Sequence, residues 1–275
     1  MSQEAVDRLA LASTFLFVPG DKPDRFVKAF SSGADLVIID LEDAVAPDSK
    51  SDALSNALNA LEGKGVPEGF HALIRVNGDP EELRTLSATR RERLDGIVIP
   101  KTESAQQITE VLALVGESTA VIALIETARG VSNALEIAGH SAVTRVAFGG
   151  IDFAADVESN AKEVHDFARA QLVIASRAHG KPAPIESPST SFRDLALVQK
   201  NAARARSLGF GATLCIHPAQ IAAAKAGFVP SLEEIDWAQQ VVTLEGGATQ
   251  IDGMMVDKPL VDRARAILAR ANEGK

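Results

Sequence analysis

Short apolar runs alternate with helix-like segments along almost the whole chain. The runs are FLFVP (15–19), LVIID (36–40), HALIRV (71–76), GIVIP (96–100), AVIALI (120–125), RVAFG (145–149), a weaker PAPIE (182–186) and ATLCI (212–216). Each run is too short for a buried helix, and many of its residues are β-branched, so each is predicted to be a buried parallel strand.

The linking stretches have apolar residues at helical spacing and are predicted to be helices, at 24–33, 48–62, 80–93, 103–115, 130–139, 161–179 and 191–208. Parallel strands joined by helical crossovers define the α/β class, and eight such units favour a TIM (β/α)8 barrel. An open, doubly wound sheet is the alternative. No G-x-G-x-x-G motif follows the first run to support the dinucleotide site of that fold.

The composition is that of a cytoplasmic enzyme with one large core. The 275 residues are 46% hydrophobic and 24% charged, and the net charge of −9 argues against a nucleic-acid partner. A single cysteine, Cys215, allows no internal disulfide and is expected in the core. No run approaches the roughly 20 apolar residues that span a membrane, and the amino terminus lacks a secretory h-region.

The chain is predicted to divide into a barrel, 1–228, and a carboxy-terminal helical extension, 229–275. Ser231 and Glu234 have the spacing of a capping box at the start of one helix, and Pro259 is expected to begin the last. A barrel closes without such an extension. It is therefore expected to cover the active-site mouth or reach a neighbouring subunit, with packing on the barrel exterior as the alternative.

Two acidic residues, Glu126 and Asp152, each follow a strongly apolar run. The carboxyl ends of barrel strands are where such enzymes place their chemistry, and the two side chains would lie on one rim. One or two carboxylates, with water and substrate completing the coordination, suit Mg²⁺. The alternative is that Glu126 caps a helix and Asp152 is solvated at a turn.

Arg75 lies at the end of the third run, and an acidic cluster begins at the end of the second run, on the same predicted rim. Arg75 is a permanently charged, forked donor suited to a carboxylate or thioester oxygen, or else a structural ion-pair partner. Asp40, Glu42 and Asp43 are more carboxylates than Mg²⁺ needs, so they are expected to orient bound waters or Arg75. A solvated loop is the alternative for Glu42 and Asp43.

Two basic residues follow the first run, and one histidine follows the last. Arg25 and Lys28 are three residues apart on a predicted helix, as in a phosphate grip, although such pairs are often only solvated. His217 is expected to be hydrogen-bonded scaffolding rather than a catalyst. The other histidines lack the spacing of a zinc site.

Eight motifs, in order, resemble those of the citrate lyase β-subunit family of CoA-ester lyases. They are FLFVPGDKPDRF, DLVIIDLEDAVAP, IRVNG, DGIVIPKTES, IETARGV, FGGIDFAAD, CIHPAQI and DGMMVDKP. The resemblance implies a magnesium-dependent TIM barrel, a homotrimer or dimer of trimers, that breaks or forms carbon–carbon bonds in citryl-, malyl- or citramalyl-CoA. The expected products are acetyl-CoA and a keto acid, formed by retro-Claisen chemistry.

The resemblance also assigns roles to residues of this chain. It makes Glu126 and Asp152 metal ligands, Arg75 a contact of the substrate carboxylate or thioester, and Asp257 an acid/base delivered by an adjacent subunit. It places Arg25 and Lys28 near the CoA phosphates. The chain departs from the family nearby: Asp24 stands where some members have a basic residue, and Phe17 stands where others have a tyrosine. The loop IESPSTSFRD differs as well, which leaves substrate choice open.

Other activities fit the same motifs. A class II pyruvate aldolase would use the metal pair without CoA, and an acyl-CoA thioesterase or a malate synthase-like enzyme would hydrolyse or condense the thioester. A citrate lyase subunit would instead act on a carrier-bound thioester. The identity of the acyl group and the direction of the reaction stay open at this point.

Overall fold

The eight predicted strands form a closed parallel barrel in sequence order. The computed structural model describes residues 3–88, 92–243, 250–251, 254–255 and 257–273. The barrel strands are β1 (Thr14–Pro19), β2 (Leu36–Asp40), β3 (Ala72–Arg75), β4 (Leu94–Ile99), β5 (Val121–Ile125), β6 (Val143–Phe148), β7 (Ile185–Glu186) and β8 (Ala212–Cys215). Because β1 pairs with β8, Thr14 opposite Thr213, the alternative of an open sheet is wrong and the TIM barrel is confirmed.

One helix, α1, precedes the first strand, and the other helices follow strands of the barrel or form the extension. They are α1 (Gln3–Leu11), α2 (Phe26–Phe30), α3 (Lys50–Leu61), α4 (Pro80–Ala88), α5 (Ala105–Val115), α6 (Ala128–Ser132), α7 (Ala134–Gly139), α8 (Gly150–Asp156), α9 (Lys162–Ala178), α10 (Leu195–Ser207), α11 (Gln220–Phe228), α12 (Leu232–Thr243) and α13 (Lys258–Glu273). The single helix expected over 130–139 is two short helices, α6 and α7. Two helices, α1 and α8, were not anticipated.

The weakest predicted strand is also the shortest strand of the barrel. Of the run PAPIE only Ile185 and Glu186 pair with the neighbouring strands. Pro182 and Pro184 lack the backbone N–H groups that a ladder requires, which accounts for the short pairing.

Alternate residues of each strand point into the barrel, and this alternation sets the position of the site. The interior cluster contains Ile38 of β2, Leu73 of β3 and Leu124 of β5. Side chains two positions apart share one face of a strand, so the residues that follow these on the inner face are Asp40, Arg75 and Glu126. Polar groups therefore replace apolar ones on the same face at the carboxyl-terminal mouth.

The opposite end of the barrel is closed by α1. Leu9 of this helix is fully buried and belongs to the interior cluster. Arg145 of β6 donates hydrogen bonds to the carbonyls of Leu9 and Ala12, at 3.2 and 2.6 Å, and thereby satisfies the carboxyl end of α1.

The extension consists of α12 and α13, which pack on each other around a small core of their own, including Ala238, Val241 and Ala264. The capping box predicted for α12 is confirmed: Ser231 Oγ accepts the Glu234 N–H at 3.1 Å, and the Glu234 carboxylate accepts the Ser231 N–H at 2.8 Å. A short antiparallel pair, β9 (Gln250–Ile251) and β10 (Met254–Met255), lies between the two helices. Within the described ranges no helix is long and apolar enough to cross a bilayer.

Candidate active site

Arg75 is fixed at the barrel mouth by a two-point ion pair with Asp40. The residues are register partners at the ends of β3 and β2. Arg75 Nε lies 2.7 Å from Asp40 Oδ1, and its Nη2 lies 2.6 Å from Oδ2, with the arginine only 8% exposed. The guanidinium also lies 4.8 Å from the ring centroid of Phe17. Its plane is therefore held by both a carboxylate and an aromatic face.

Glu42 connects Arg75 to Lys101. One Glu42 oxygen lies 2.9 Å from Arg75 Nη1, and the other lies 2.5 Å from Lys101 Nζ. The Glu42 side chain is 12% exposed, unlike Asp43, whose side chain is 55% exposed with contacts of 3.7 and 3.8 Å to the same two cations. The structure thus brings Glu42 against Arg75 and leaves Asp43 at the solvent edge.

The charge of Arg75 is maintained by these neighbours. Burial acts to lower the pKa of Arg75, but the hydrogen bond and charge of Asp40, followed by the charges of Glu42 and Asp43, raise it above its ordinary value. Two of its five N–H groups donate hydrogen bonds to Asp40, and its Nη1 lies 2.9 Å from Glu42. The remaining donors give Arg75 the chemistry to bind an anionic or enolate oxygen of a ligand.

Glu126 is a buried carboxylate with a raised pKa. It is 1% exposed, and its Oε1 accepts the backbone N–H of Lys101 at 2.8 Å. Burial, followed by the nearby charge of Asp152, raises the pKa of Glu126 to about 7, although the Lys101 N–H and the charges of Lys101 and Arg75 oppose the rise. These carboxylates and cations therefore act on one another as a single electrostatic site.

The backbone around Glu126 is specialised for close approach. Lys101 has a φ of 46°, in the left-handed region that non-glycine residues rarely adopt, and this conformation accompanies the N–H contact with Glu126. A Cβ added at Gly149 would collide with the Glu126 carboxylate and lie 2.6 Å from its Cβ. Gly149 is therefore required for β6 to approach the end of β5.

Asp152 lies on a helix rather than directly at a strand end. β6 stops at Phe148, and Asp152 is a half-buried residue in the first turn of α8. The expectation that it directly ends a strand or occupies a solvated turn is wrong on this point. Its charge nevertheless reaches Glu126, as the pKa of Glu126 shows.

The donor set at Glu126 and Asp152 fits a hard divalent cation. Both are carboxylates, and their mutual repulsion in a buried setting is the kind of charge that a cation relieves. Across the described ranges no group of three or more His, Cys, Asp or Glu side chains is placed to hold a metal ion. A cation held here would take its remaining ligands from water and substrate.

A cavity of about 450 Å³ adjoins the amino end of α8 on the same rim. Its lining includes Gly150 and Ile151, which directly precede Asp152, and the loop residues Ser187, Ser189 and Thr190. The adjacent Glu186 is paired at two points with Arg169, at 2.7 and 3.1 Å. The loop that departs from the family pattern therefore lines space next to the candidate metal ligands.

The other predicted site residues make no described contact with Glu126, Asp152 or Arg75. Arg25 ends a short 3₁₀ turn and Lys28 lies on α2, and both side chains are exposed. Asp257 is exposed and caps α13, where its carboxylate accepts the Leu260 N–H at 3.1 Å. Among the contacts that the structure describes, none joins Asp257 to Glu126 or Arg75.

Two residues outside the predicted site have scaffold positions, as expected. Cys215 is buried, and burial raises the pKa of its thiol to about 12, with a smaller contribution from Asp35. His217 accepts the Ala219 N–H through Nδ1 at 3.1 Å, and its ring stacks on Phe192 with centroids 4.9 Å apart.

Sequence reasoning missed Lys101, although a polar residue directly after the fourth run was a usable signal.

A closed (β/α)8 barrel with a buried acid, a fixed arginine and a second carboxylate at its carboxyl-terminal mouth is typical of TIM-barrel enzymes. Residues 13–218 match the model of the HpcH/HpaI aldolase/citrate lyase family. The chain belongs to this family, and both the resemblance found in the sequence and the expectation of a carbon–carbon lyase are confirmed.

Relatives of similar length carry several activities. A citrate lyase subunit beta-like protein of Mycobacterium tuberculosis is 34% identical over 94% of this chain and 95% of its own length. A (3S)-malyl-CoA thioesterase of Cereibacter sphaeroides is 35% identical over 93% of each chain. An L-malyl-CoA/β-methylmalyl-CoA lyase of the same species is 30% identical over 93% of each.

Solved structures of relatives contain the predicted kind of cofactor. The structure of CitE from Mycobacterium tuberculosis in complex with magnesium, acetoacetate and coenzyme A has a TM-score of 0.81 and 31% identity, over 96% of this chain and 99% of that one. A citrate lyase beta subunit from Mycobacterium tuberculosis was solved with oxaloacetate and magnesium, and CitE from this organism was also solved with magnesium and pyruvate. Magnesium, predicted from the sequence, is thus confirmed as the metal of this family.

Proposed function

We propose that this chain is a Mg²⁺-dependent lyase that cleaves a 3-hydroxyacyl-CoA ester of the citramalyl-, malyl- or citryl-CoA type into acetyl-CoA and a keto acid. The observation that carries the proposal is the cluster at the barrel mouth, where the charges of Asp152 and Arg75 both act on the buried carboxylate of Glu126. The CoA-bound structure and the malyl-CoA relatives support a thioester substrate.

Glu126 and Asp152 would hold the metal. A divalent cation held by these two carboxylates would supply Lewis-acid chemistry, which makes a substrate hydroxyl more acidic. The Lys101 N–H fixes Glu126 Oε1, at 2.8 Å, so the carboxylate is oriented before a ligand arrives. Such preorganisation limits the rearrangement needed during the reaction.

Arg75 would stabilise the charge that develops on the thioester oxygen. The substrate hydroxyl would lose its proton to water as the carbon–carbon bond breaks; the electron pair of that bond moves onto the acetyl-CoA fragment as an enolate, and the other fragment leaves as the keto acid. Asp40 and Glu42 hold the guanidinium in place, at 2.6 and 2.9 Å, so its free donors point in a fixed direction. Because the enolate charge exists only after bond breaking begins, this contact favours the transition state.

Asp257 would donate the proton that the enolate carbon requires, and it would do so from a neighbouring subunit. The extension contacts the amino-terminal end of its own barrel through an ion pair between Glu234 of α12 and Arg206 of α10, at 2.7 Å. An exposed carboxylate on this extension is available to another copy of the chain. We therefore propose that residues 1–228 form the barrel and that the extension, residues 229–275, packs over the next subunit. The assembly would be a homotrimer or a dimer of trimers.

Arg25 and Lys28 would bind the phosphates of CoA in a cytoplasmic enzyme. They are exposed cations just after β1, whose carboxyl end forms part of the mouth. In a chain of net charge −9, local positive charge is required to hold a ligand with several phosphates.

The test is a product assay with purified protein and Mg²⁺. Malyl-, citramalyl- and citryl-CoA would be supplied in turn, and acetyl-CoA and the keto acid would be measured together. Equal amounts of the two products, lost in EDTA and weakened in Asp152→Asn, are expected. Absence of carbon–carbon cleavage with all three substrates would refute the proposal.

Thioester hydrolysis is a second candidate, favoured by the (3S)-malyl-CoA thioesterases among the relatives. The same metal and arginine would stabilise an oxyanion at the thioester carbonyl. Hydrolysis releases free CoA and the intact hydroxy acid, so the assay above separates the two reactions. A carrier-bound thioester would instead require partner subunits, which copurification from the source cells would detect.

A further inference from the structure

A second cavity lies at the amino-terminal end of the barrel, opposite the candidate active site. Its volume is about 680 Å³, and α13 of the extension forms part of its wall. Ser13, Asp35 and Gly211, which precede β1, β2 and β8, place it at the strand starts. The charged residues of its lining are Asp35, Arg145, Arg206, Lys225 and Arg270.

Arg145 is a fully buried cation in this lining without a carboxylate partner in the described contacts. It is 1% exposed, and its hydrogen bonds go to backbone carbonyls, including Ala183 at 2.6 Å. The carboxyl end of α1, which Arg145 caps, compensates only part of a unit charge. Burial lowers the pKa of Arg145 to about 9, in keeping with a guanidinium that lacks a counter-charge.

The other cations of the cavity are only partly neutralised. Lys225 is paired with Asp35 at 2.5 Å, and Arg206 is paired with Glu234 at two points, 3.0 and 2.7 Å, while its Nε is buried without a partner in the described structure. Arg270 of α13 has no described ion-pair partner. Four cations thus face two carboxylates, in a chain whose total charge is strongly negative.

We infer that this cavity binds a phosphate-bearing small molecule, which residues at the amino-terminal end of the barrel and residues of α13 hold together. A dianion matches the two uncompensated positive charges, whereas a single carboxylate would balance only one. Guanidinium groups bind phosphate oxygens through paired, charge-assisted hydrogen bonds. The site does not depend on the proposed lyase activity, because none of its lining residues belongs to the candidate active site.

The test is calorimetric titration of the full chain, in the presence of Mg²⁺, with inorganic phosphate at constant ionic strength. Saturable binding is expected for the wild type. Arg270→Gln should weaken it about tenfold, the effect of losing one charge-assisted contact, and adding Lys225→Gln should weaken it further. Neither change touches the barrel core, so folding is expected to survive, which a circular dichroism spectrum checks.

Two control variants locate the bound phosphate. Arg265→Gln removes a charge from the same helix outside the cavity lining, and Arg25→Gln with Lys28→Gln removes the proposed CoA contacts at the opposite end. Both are expected to bind phosphate as the wild type does. The inference is overturned if binding does not saturate, if Arg265→Gln and Arg270→Gln weaken it equally, or if only the Arg25 and Lys28 double variant loses it.

Discussion

Replacing Glu126 by glutamine should stabilise the metal-free protein at alkaline pH. The carboxylate is buried, and its pKa in the folded chain is about 7, against an ordinary value of 4.5. A folded-state pKa above the unfolded value means that the folded chain holds the proton more tightly. The associated stability is fully present below about pH 4.5 and is lost as the pH rises through about 7.

The size of the effect follows from this difference. Each pKa unit corresponds to about 1.4 kcal/mol, so ionised Glu126 costs on the order of 3 kcal/mol in the folded chain. Glutamine has nearly the same shape and carries no charge, and its amide oxygen can still accept the Lys101 N–H that Oε1 accepts at 2.8 Å. The substitution therefore removes the cost of the charge without creating a cavity.

Urea unfolding in EDTA, monitored by circular dichroism at several pH values, measures the effect. At about pH 9 the variant should be more stable than the wild type by up to ~3 kcal/mol, and the gap should close towards about pH 5. Added Mg²⁺ should stabilise the wild type, because Mg²⁺ binds the folded chain through the Glu126 carboxylate. It should have little effect on the variant, which lacks that carboxylate.

A matched substitution separates this effect from a general change in charge. Glu117 is exposed between α5 and β5, so Glu117→Gln should change stability by no more than about 0.5 kcal/mol at any pH. The reasoning fails if Glu126→Gln is no more stable than the wild type at high pH in EDTA. It also fails if the gap between them does not depend on pH.

Three further predictions concern turnover. Arg75→Lys should lower kcat at least about tenfold while the chain stays folded, since an ammonium group cannot reproduce the two-point contact of a planar guanidinium. If the variant keeps the wild-type kcat and KM, Arg75 has only a structural role. Neutralising Arg25 and Lys28 should raise KM for acyl-CoA much more than for a short acyl thioester without the nucleotide, and equal changes would remove them from CoA binding. Mixed Asp257→Asn and Glu126→Gln subunits, each inactive alone, should regain activity after subunit exchange, whereas a reassembled but inactive mixture would contradict a shared site.

The predicted site and the observed cluster differ in an instructive way. Asp40, Arg75 and Glu126 could be placed at one rim because each lies at the end of an apolar run or directly after it, whereas their inward direction became evident only in the barrel. Asp152 was expected at a strand end but lies on α8, because the chain turns into a helix immediately after Gly149. Local apolar periodicity cannot detect a helix of seven residues that begins with two glycines at its boundary.

The residues that line the amino-terminal cavity also could not be identified from local sequence patterns. Arg145 stands within an apolar run, and the sequence alone presents it as an ordinary strand residue. Its partners are carbonyls from α1 and from the segment before β7, far away along the chain. Only the closed barrel brings these groups together with Arg270 of the extension.

The order and period of the amino-acid residues were sufficient to predict the barrel and the rim on which polar groups collect, whereas the family was predicted from the resemblance of eight motifs. These properties depend on local patterns of burial and on the parallel connection of neighbouring strands, which sequence spacing records directly. The contacts of Arg75 with Glu42, of Lys101 with Glu126 and of Gly149 with β5 depended on the tertiary structure. They arise from the register between strands and from backbone angles that closure imposes, and residues distant in sequence carry no local signal of either.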